Sequence, residues 1–215
     1  MKKIILLLLL FVGGKISAQT FPVTTILYNG PSSNHIDLVF LADGFTSAEQ
    51  SNFITQVNNI CTNLFLTSPY KEYKNLFNVY AIQVNSTQSG IKHPVTASDC
   101  ASANPSVPAS STVSYFGSTF DYGGIHRLVV ATNTTAIQNV LLVNFPAYNK
   151  AVVVANSIFY GGSGGTYPCC TINNASSEIM IHEMGHSLAN LTDEYTYGGC
   201  STIEKPNCTM ETNPT

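Results

Sequence analysis

The chain has 215 residues, with 9 Lys and Arg against 12 Asp and Glu and a net charge of −3. Charged residues make up 10% of it, against about 25% in an ordinary soluble domain, so nucleic acid is excluded as a natural partner for so sparsely charged and acidic a surface. The length suits one domain with a substantial core rather than several.

Residues 1 to 18 read as an export signal: Lys2 and Lys3, an apolar run from Ile4 to Val12, and the small-residue end Ile16-Ser17-Ala18 before Gln19. The run is too short to span a bilayer, and no later segment approaches the needed length, so no membrane span is expected. Cleavage after about Ala18 removes Lys2, Lys3 and Lys15, three of the nine basic residues, and takes the net charge from −3 to −6. The expectation is a secreted or periplasmic protein whose catalytic domain occupies residues 19–215.

From Phe21 onward strand and helix patterns alternate. Ile36-Asp-Leu-Val-Phe-Leu-Ala42 is an apolar run ending at the turn Asp43-Gly44, which predicts a buried strand. Thr46-Ser-Ala-Glu49 is a capping box, predicting a helix with Phe53, Val57, Ile60, Cys61 and Leu64 on one face. A second strand follows from Leu76 to Val84. Residues 85 to 125, rich in Ser, Thr, Asn, Gly and Pro, read as a long loop that is either functional or held by a cross-link, with Cys100 as its anchor. His93 and His126 at its ends read as structural residues. Further strands are predicted at His126 to Thr132 and Lys150 to Asn156, a helix at Thr134 to Leu142, and, after the Gly-rich stretch Tyr160 to Gly165, an edge strand around Thr166 to Ile172. Alternation of this kind predicts an α/β fold on a twisted mixed sheet.

Six cysteines in an exported chain point to disulfides. Cys200 and Cys208 suit a small loop, one of Cys169 and Cys170 could reach Cys100, and Cys61 suits burial on its helix. No Cys-x-x-Cys spacing supports a zinc cluster.

The chemistry concentrates in His182-Glu183-x-x-His186, preceded by Ser residues suited to a helix cap. On a helix both imidazoles share one face a turn apart and can reach one metal ion, with Glu183 alongside to take a proton from water. A catalytic zinc keeps three protein ligands and one open position. The nearby carboxylates are Asp193 and Glu194. On an unbroken helix Asp193 would lie roughly 10 Å further along the axis, so the helix must stop and turn back, and Asn190 is suited to the left-handed conformation that does this. Asp193 is then the third ligand, with Glu194 as the alternative. Tyr195 and Tyr197 are candidates for contacting substrate or a developing oxyanion.

Four segments resemble the IgA-specific metalloendopeptidase family of zinc peptidases: Ile36 to Thr46, Tyr73 to Tyr80, Tyr160 to Gly165, and His182 through Asp193-Glu194-Tyr195. The last is the most specific. The resemblance implies a metzincin-like fold, one catalytic zinc and endopeptidase activity on a protein or peptide substrate; the immunoglobulin in the family's name belongs to one member's substrate. Family members often carry Gly at the position of Asn190. They also usually continue well past the equivalent of Thr215, so a truncated C-terminal subdomain is expected, with Met210 the candidate for the methionine turn beneath the metal. Two other functions fit the same local chemistry: a secreted binding module keeping a structural zinc helix, and a zinc amidase acting on cell-wall material.

Overall fold

The structure is a computed structural model that describes residues 19–103, 105–193 and 205–207. The proposed export signal, Glu194, Tyr195, Tyr197, Cys200, Cys208 and Met210 lie outside the described residues. The elements in order are β1 (Val23–Leu27), β2 (Ile36–Asp43), α1 (Gln50–Leu64), the short α2 (Tyr70–Tyr73) and β3 (Phe77–Ile82). There follow β4 (Ser118–Thr119), β5 (Val130–Ala131), α3 (Thr134–Asn144), β6 (Lys150–Ala155), β7 (Gly162–Ser163), β8 (Cys169–Thr171) and α4 (Ser176–Ala189).

Six strands form one mixed sheet in the order β1-β3-β2-β6-β8-β7. Strands β3, β2, β6 and β8 run parallel, and β1 and β7 run antiparallel to their neighbours. The continuous apolar runs take the centre, where both faces are covered: Leu38 to Ala42 of β2 and Val152 to Ala155 of β6 have no exposed surface. Phe77 meets Phe65, just past α1, with ring centroids 5.5 Å apart, whereas Tyr80 meets Phe145, just past α3, at 4.2 Å. Residues three apart on a strand point to opposite faces, so α1 and α3 cover opposite sides of the sheet. The buried stripe Phe53, Val57, Ile60 and Leu64 holds α1 down, each side chain contributing about 1.5–3 kcal/mol by burial. Helix α4 packs beside it, with Asn63 Nδ2 donating to Ser177 Oγ at 3.0 Å, and is tied to α2 as well, where Tyr70 OH donates to Ile181 O at 3.4 Å.

The capping box forms as the spacing predicts. Glu49 accepts from the Thr46 N–H and hydroxyl, both at 2.8 Å, and a single 3₁₀ turn, Ser47–Glu49, leads into α1. At the end of β2, Gly44 adopts φ 76°, and a Cβ there would come within 2.3 Å of Gly90 O, so the turn needs glycine on both counts. Asp43 beside it organises the long loop: one carboxylate oxygen accepts from Phe116 N at 2.7 Å, the other from Ser114 Oγ at 2.7 Å and Ser118 N at 3.0 Å. Burial raises the Asp43 pKa despite those three donors.

Four sequence expectations are corrected. The stretch from His126 to Thr132 does not supply a regular strand of the main sheet: its first residues turn, with Leu128 N donating to Ile125 O, Leu128 makes one isolated parallel bridge to Gly162 of β7, and Val130 and Ala131 pair with β4 in a separate two-stranded sheet. The stretch around Thr166 to Ile172 is not an edge strand, because β8 lies between β6 and β7, and the Gly-rich segment itself supplies the edge. The helix carrying the His-Glu-x-x-His motif starts without a Ser cap: Ala175 holds the N-cap position, stabilised by Asn173 Oδ1 accepting from its N–H at 3.0 Å. Finally, Cys169 and Cys170 do not reach Cys100. Among the described residues Cys61, Cys100, Cys169 and Cys170 are all free thiols, and burial pushes Cys61 and Cys170 up to about 12, which makes them inert as nucleophiles.

Candidate active site

Helix α4 is oriented by what it buries. Ile179, Met180 and Met184 face the core, which turns His182 and His186 outward on the remaining face, a helical turn apart. The helix ends at Asn190, in the left-handed region at φ 54° and ψ 32°. There Asn190 N donates to His186 O at 3.1 Å and Leu191 N to Gly185 O at 3.2 Å, a hydrogen-bonded reversal of the kind that closes helix C-termini. The reversal sends the chain back over the histidines and delivers Asp193 to them.

Three donor atoms converge as a result. His182 Nε2 and His186 Nε2 are 3.1 Å apart, and Asp193 Oδ1 lies 3.1 Å from the first and 3.3 Å from the second. Bonds of about 2.0–2.2 Å to a tetrahedral metal separate its nitrogen and oxygen ligands by about 3.3–3.5 Å, so the triangle has the size a metal ion requires. His186 Nδ1 lies 2.8 Å from Leu191 O; it donates there and leaves the Nε2 lone pair for the shared point. Asp193 Oδ1 is buried and has no hydrogen-bond partner, an unmet need that a cation would satisfy.

Glu183 stands beside this triangle, its carboxylate within 4.8 Å of both imidazole nitrogens. Burial raises its pKa, His182 and His186 pull it down, Asp193 pushes it up again, and the net shift is upward. Its other neighbour is the main chain of Gly164, just past β7, where a Cβ would lie 2.5 Å from Glu183 Oε2. The group opens onto a cleft of about 590 Å³, a size suited to part of an extended polymer or a small ligand. One wall is α4, through Glu178, Ile179, His182 and Glu183; the other is Ile125, Arg127 and Leu128, with Tyr160 and Gly162 between them.

The family model described as IgA Peptidase M64 matches residues 24–214. The chain belongs to that family. No match is found among curated proteins. Membership makes this M64 chain a peptidase, with peptide as its substrate class, and points to a metal in its reaction. No helix among the described residues of this M64 peptidase is long and apolar enough to cross a membrane.

Of the candidate residues read from the sequence, the M64 fold brings together His182, Glu183 and His186 by their spacing on a helix and Asp193 by the reversal at Asn190, while Glu194, Tyr195 and Tyr197 lie outside the described residues. Two features are not visible in the sequence. The far wall of the cleft comes from residues 125–128, read from sequence as the end of the long loop and the start of a strand at His126; their Gly-Gly-Ile approach was the available turn signal. The second is a buried gathering of His93, Cys100, Asp121 and His126, four residues with no common spacing to reveal them.

Proposed function

We propose that this chain is an exported zinc-dependent endopeptidase in which His182, His186 and Asp193 hold the metal and Glu183 is the general base, on a metzincin-like variant of the α/β fold. The observation that carries it is the triangle of His182 Nε2, His186 Nε2 and Asp193 Oδ1, with separations of 3.1, 3.1 and 3.3 Å, next to a carboxylate that a purely structural metal site does not need. The histidine-and-carboxylate donor set suits zinc, and three ligands leave its fourth position open. Zinc bound there supplies Lewis acidity, lowering the pKa of water toward about 7 and polarising the scissile carbonyl.

The remaining work belongs to the chain. Glu183, partly desolvated between α4 and Gly164, accepts the proton that water releases as it attacks, and then delivers it to the departing amine. The cleft between α4 and residues 125–128 holds the peptide across the site, with apolar contacts from Ile125, Leu128 and Ile179 aligning it. Excluding solvent around Glu183 strengthens these interactions. The export signal at residues 1–18 places the activity outside the cytoplasm, and mature protein is expected to begin near Gln19.

Replacing Glu183 with Gln tests the assignment. The variant should keep its metal, measured by elemental analysis, and lose about 10³-fold or more in peptide hydrolysis, as removal of a positioned general base does. Hydrolysis at the native rate by Glu183→Gln would sink the proposal.

A further inference from the structure

The other convergent group lies outside the cleft. His93, Cys100, Asp121 and His126 each offer one donor atom, all within 4.8 Å of one another. Cys100 Sγ is 3.3 Å from Asp121 Oδ1, 3.4 Å from His126 Nδ1 and 3.8 Å from His93 Nε2. Asp121 Oδ1 is 3.4 Å from His93 Nε2 and 2.8 Å from His126 Nδ1. A tetrahedral zinc, with bonds of about 2.0–2.2 Å to nitrogen and oxygen and about 2.3 Å to sulfur, spaces its ligands about 3.3–3.6 Å apart. These five separations, 2.8 to 3.8 Å, bracket that range, and the sixth, between the two imidazoles, is within 4.8 Å.

Proton accounting leads to the same place. His93 Nδ1 lies 3.0 Å from the Pro108 carbonyl, to which it must donate. A neutral imidazole has a single N–H, so with Nδ1 donating, Nε2 turns a lone pair toward the Asp121 carboxylate and the Cys100 sulfur, three acceptors that one cation between them would satisfy together. Asp121 is fixed from behind, with Oδ2 accepting from Thr96 N at 2.8 Å, and this leaves Oδ1 for the shared point. Its backbone is left-handed, at φ 62° and ψ 20°, a strained conformation of the kind retained where function over-determines it. The Asp121 side chain has no exposed surface, and His93 is 2% exposed; a carboxylate so buried is costly without a counter-charge.

A thiol nucleophile activated by a Cys-His-Asp relay is a different use of the same residues. A relay needs thiol and carboxylate on opposite nitrogens of the imidazole. Here both face His126 Nδ1, while Nε2 is buried without a partner.

We propose that His93 Nε2, Cys100 Sγ, Asp121 Oδ1 and His126 Nδ1 form a second, closed, four-coordinate site for a zinc-class divalent cation. A thiolate with two imidazoles and one carboxylate favours zinc over magnesium or calcium, and four protein ligands mark a structural rather than a catalytic ion. Binding displaces the thiol proton to solvent, leaving the donor set with two negative charges against the ion's two positive ones. The site ties residues 93, 100 and 121 of the long loop to His126, whose neighbours Ile125, Arg127 and Leu128 form the far wall of the cleft. It is the cross-link that a loop of such length needs, made by a metal instead of a disulfide.

The test uses full-length protein carrying His182→Gln and His186→Gln, so that the cleft no longer competes for metal. After dialysis against zinc, one equivalent should remain per chain, and none would overturn the proposal. Cobalt exchanged for that zinc should show a near-ultraviolet thiolate charge-transfer band that Cys200→Ser and Cys208→Ser leave in place and Cys100→Ser removes; persistence of the band in Cys100→Ser would equally overturn it. Should Cys100→Ser not fold, alkylation of the cysteines followed by peptide mapping decides the question without that variant. Zinc should protect Cys100 at least 10-fold, and a Cys100 labelling rate independent of zinc would refute the site, leaving a proton on His93 as the cation that faces Asp121.

Discussion

A side chain at Gly164 has no room except where Glu183 already is, since a Cβ would lie 2.5 Å from Glu183 Oε2 and 3.8 Å from His186 Cδ2. The nearer atom is the far end of a flexible side chain, so Gly164→Ala can be absorbed by rotation of Glu183 without disturbing the sheet. The base is displaced in consequence. Misplacement of a catalytic group by about 1 Å costs on the order of 10²-fold in rate, and Gly164→Ala is expected to lower kcat by about that factor with metal content and thermal midpoint unchanged. A variant with native kcat would show that Glu183 is not held where the reaction needs it. This constraint was invisible in the sequence, where the Tyr160 to Gly165 run reads only as a Gly-rich stretch ahead of a strand. The residue-scale features that were legible have a local cause: two histidines four apart on a helix, and an Asn suited to φ above zero, found at 54°. Nothing local brings Gly164 to Glu183; the pairing of β7 with β8 and the close packing of Gly162 against Ile179 of α4 do so.

Elements whose type is dictated by their own residues were read correctly, and those defined by neighbours were not. β2 and β6 announce themselves as unbroken apolar runs, and α1 by its stripe and capping box. The edge position of β7, and the reduction of residues 126–129 to a single bridge beside it, depend on partners far along the chain: Gly162 N donates to Arg127 O at 3.1 Å, and Val129 N to Gly162 O at 3.2 Å. The capping box has itself a longer reach than its spacing implies. Glu49 accepts from Ser89 Oγ at 2.7 Å and Asn156 Nδ2 at 3.3 Å besides Thr46, so one carboxylate joins the start of α1 to the long loop and to the residue following β6. Partial burial pushes its pKa up, but the donors from Thr46, Ser89 and Asn156 outweigh this and hold it below the ordinary 4.5. With the folded pKa depressed, the unfolded chain binds the proton first as pH falls. Glu49 therefore stabilises the fold above pH 4.5, and that contribution disappears as pH drops through its lower folded value. In denaturation measured across this range, the stability gap between the native chain and Glu49→Gln should be widest near neutrality and shrink below pH 4.5; a gap independent of pH would mean that the charge is not involved.

For the whole molecule, the question is whether the cleft metal holds the fold together or is held by it. The helix that carries His182 and His186 is anchored by groups facing away from them: buried Ile179, Met180 and Met184, Ser177 bonded to Asn63, Ile181 bonded to Tyr70, and Ser187 O accepting from Lys150 Nζ at the start of β6. The two imidazoles, by contrast, are 44% and 26% exposed, and their removal leaves no buried cavity. The scaffold is therefore complete without the ion, which suits a site whose ligands must be in place before substrate arrives. Urea denaturation of the native chain and of His182→Gln/His186→Gln provides the comparison. In strong chelator their midpoints should coincide. Zinc should raise the native midpoint further than that of the double variant, because an ion that binds only the folded state stabilises it by RT ln(1 + [L]/Kd), about 2.7 kcal/mol at a hundredfold excess over Kd. Any contribution from the site at His93, Cys100, Asp121 and His126 is common to both proteins and cancels in the difference. A double variant already unfolded in chelator, beside a native chain that is folded, would make the two histidines part of the scaffold and reverse this order of dependence.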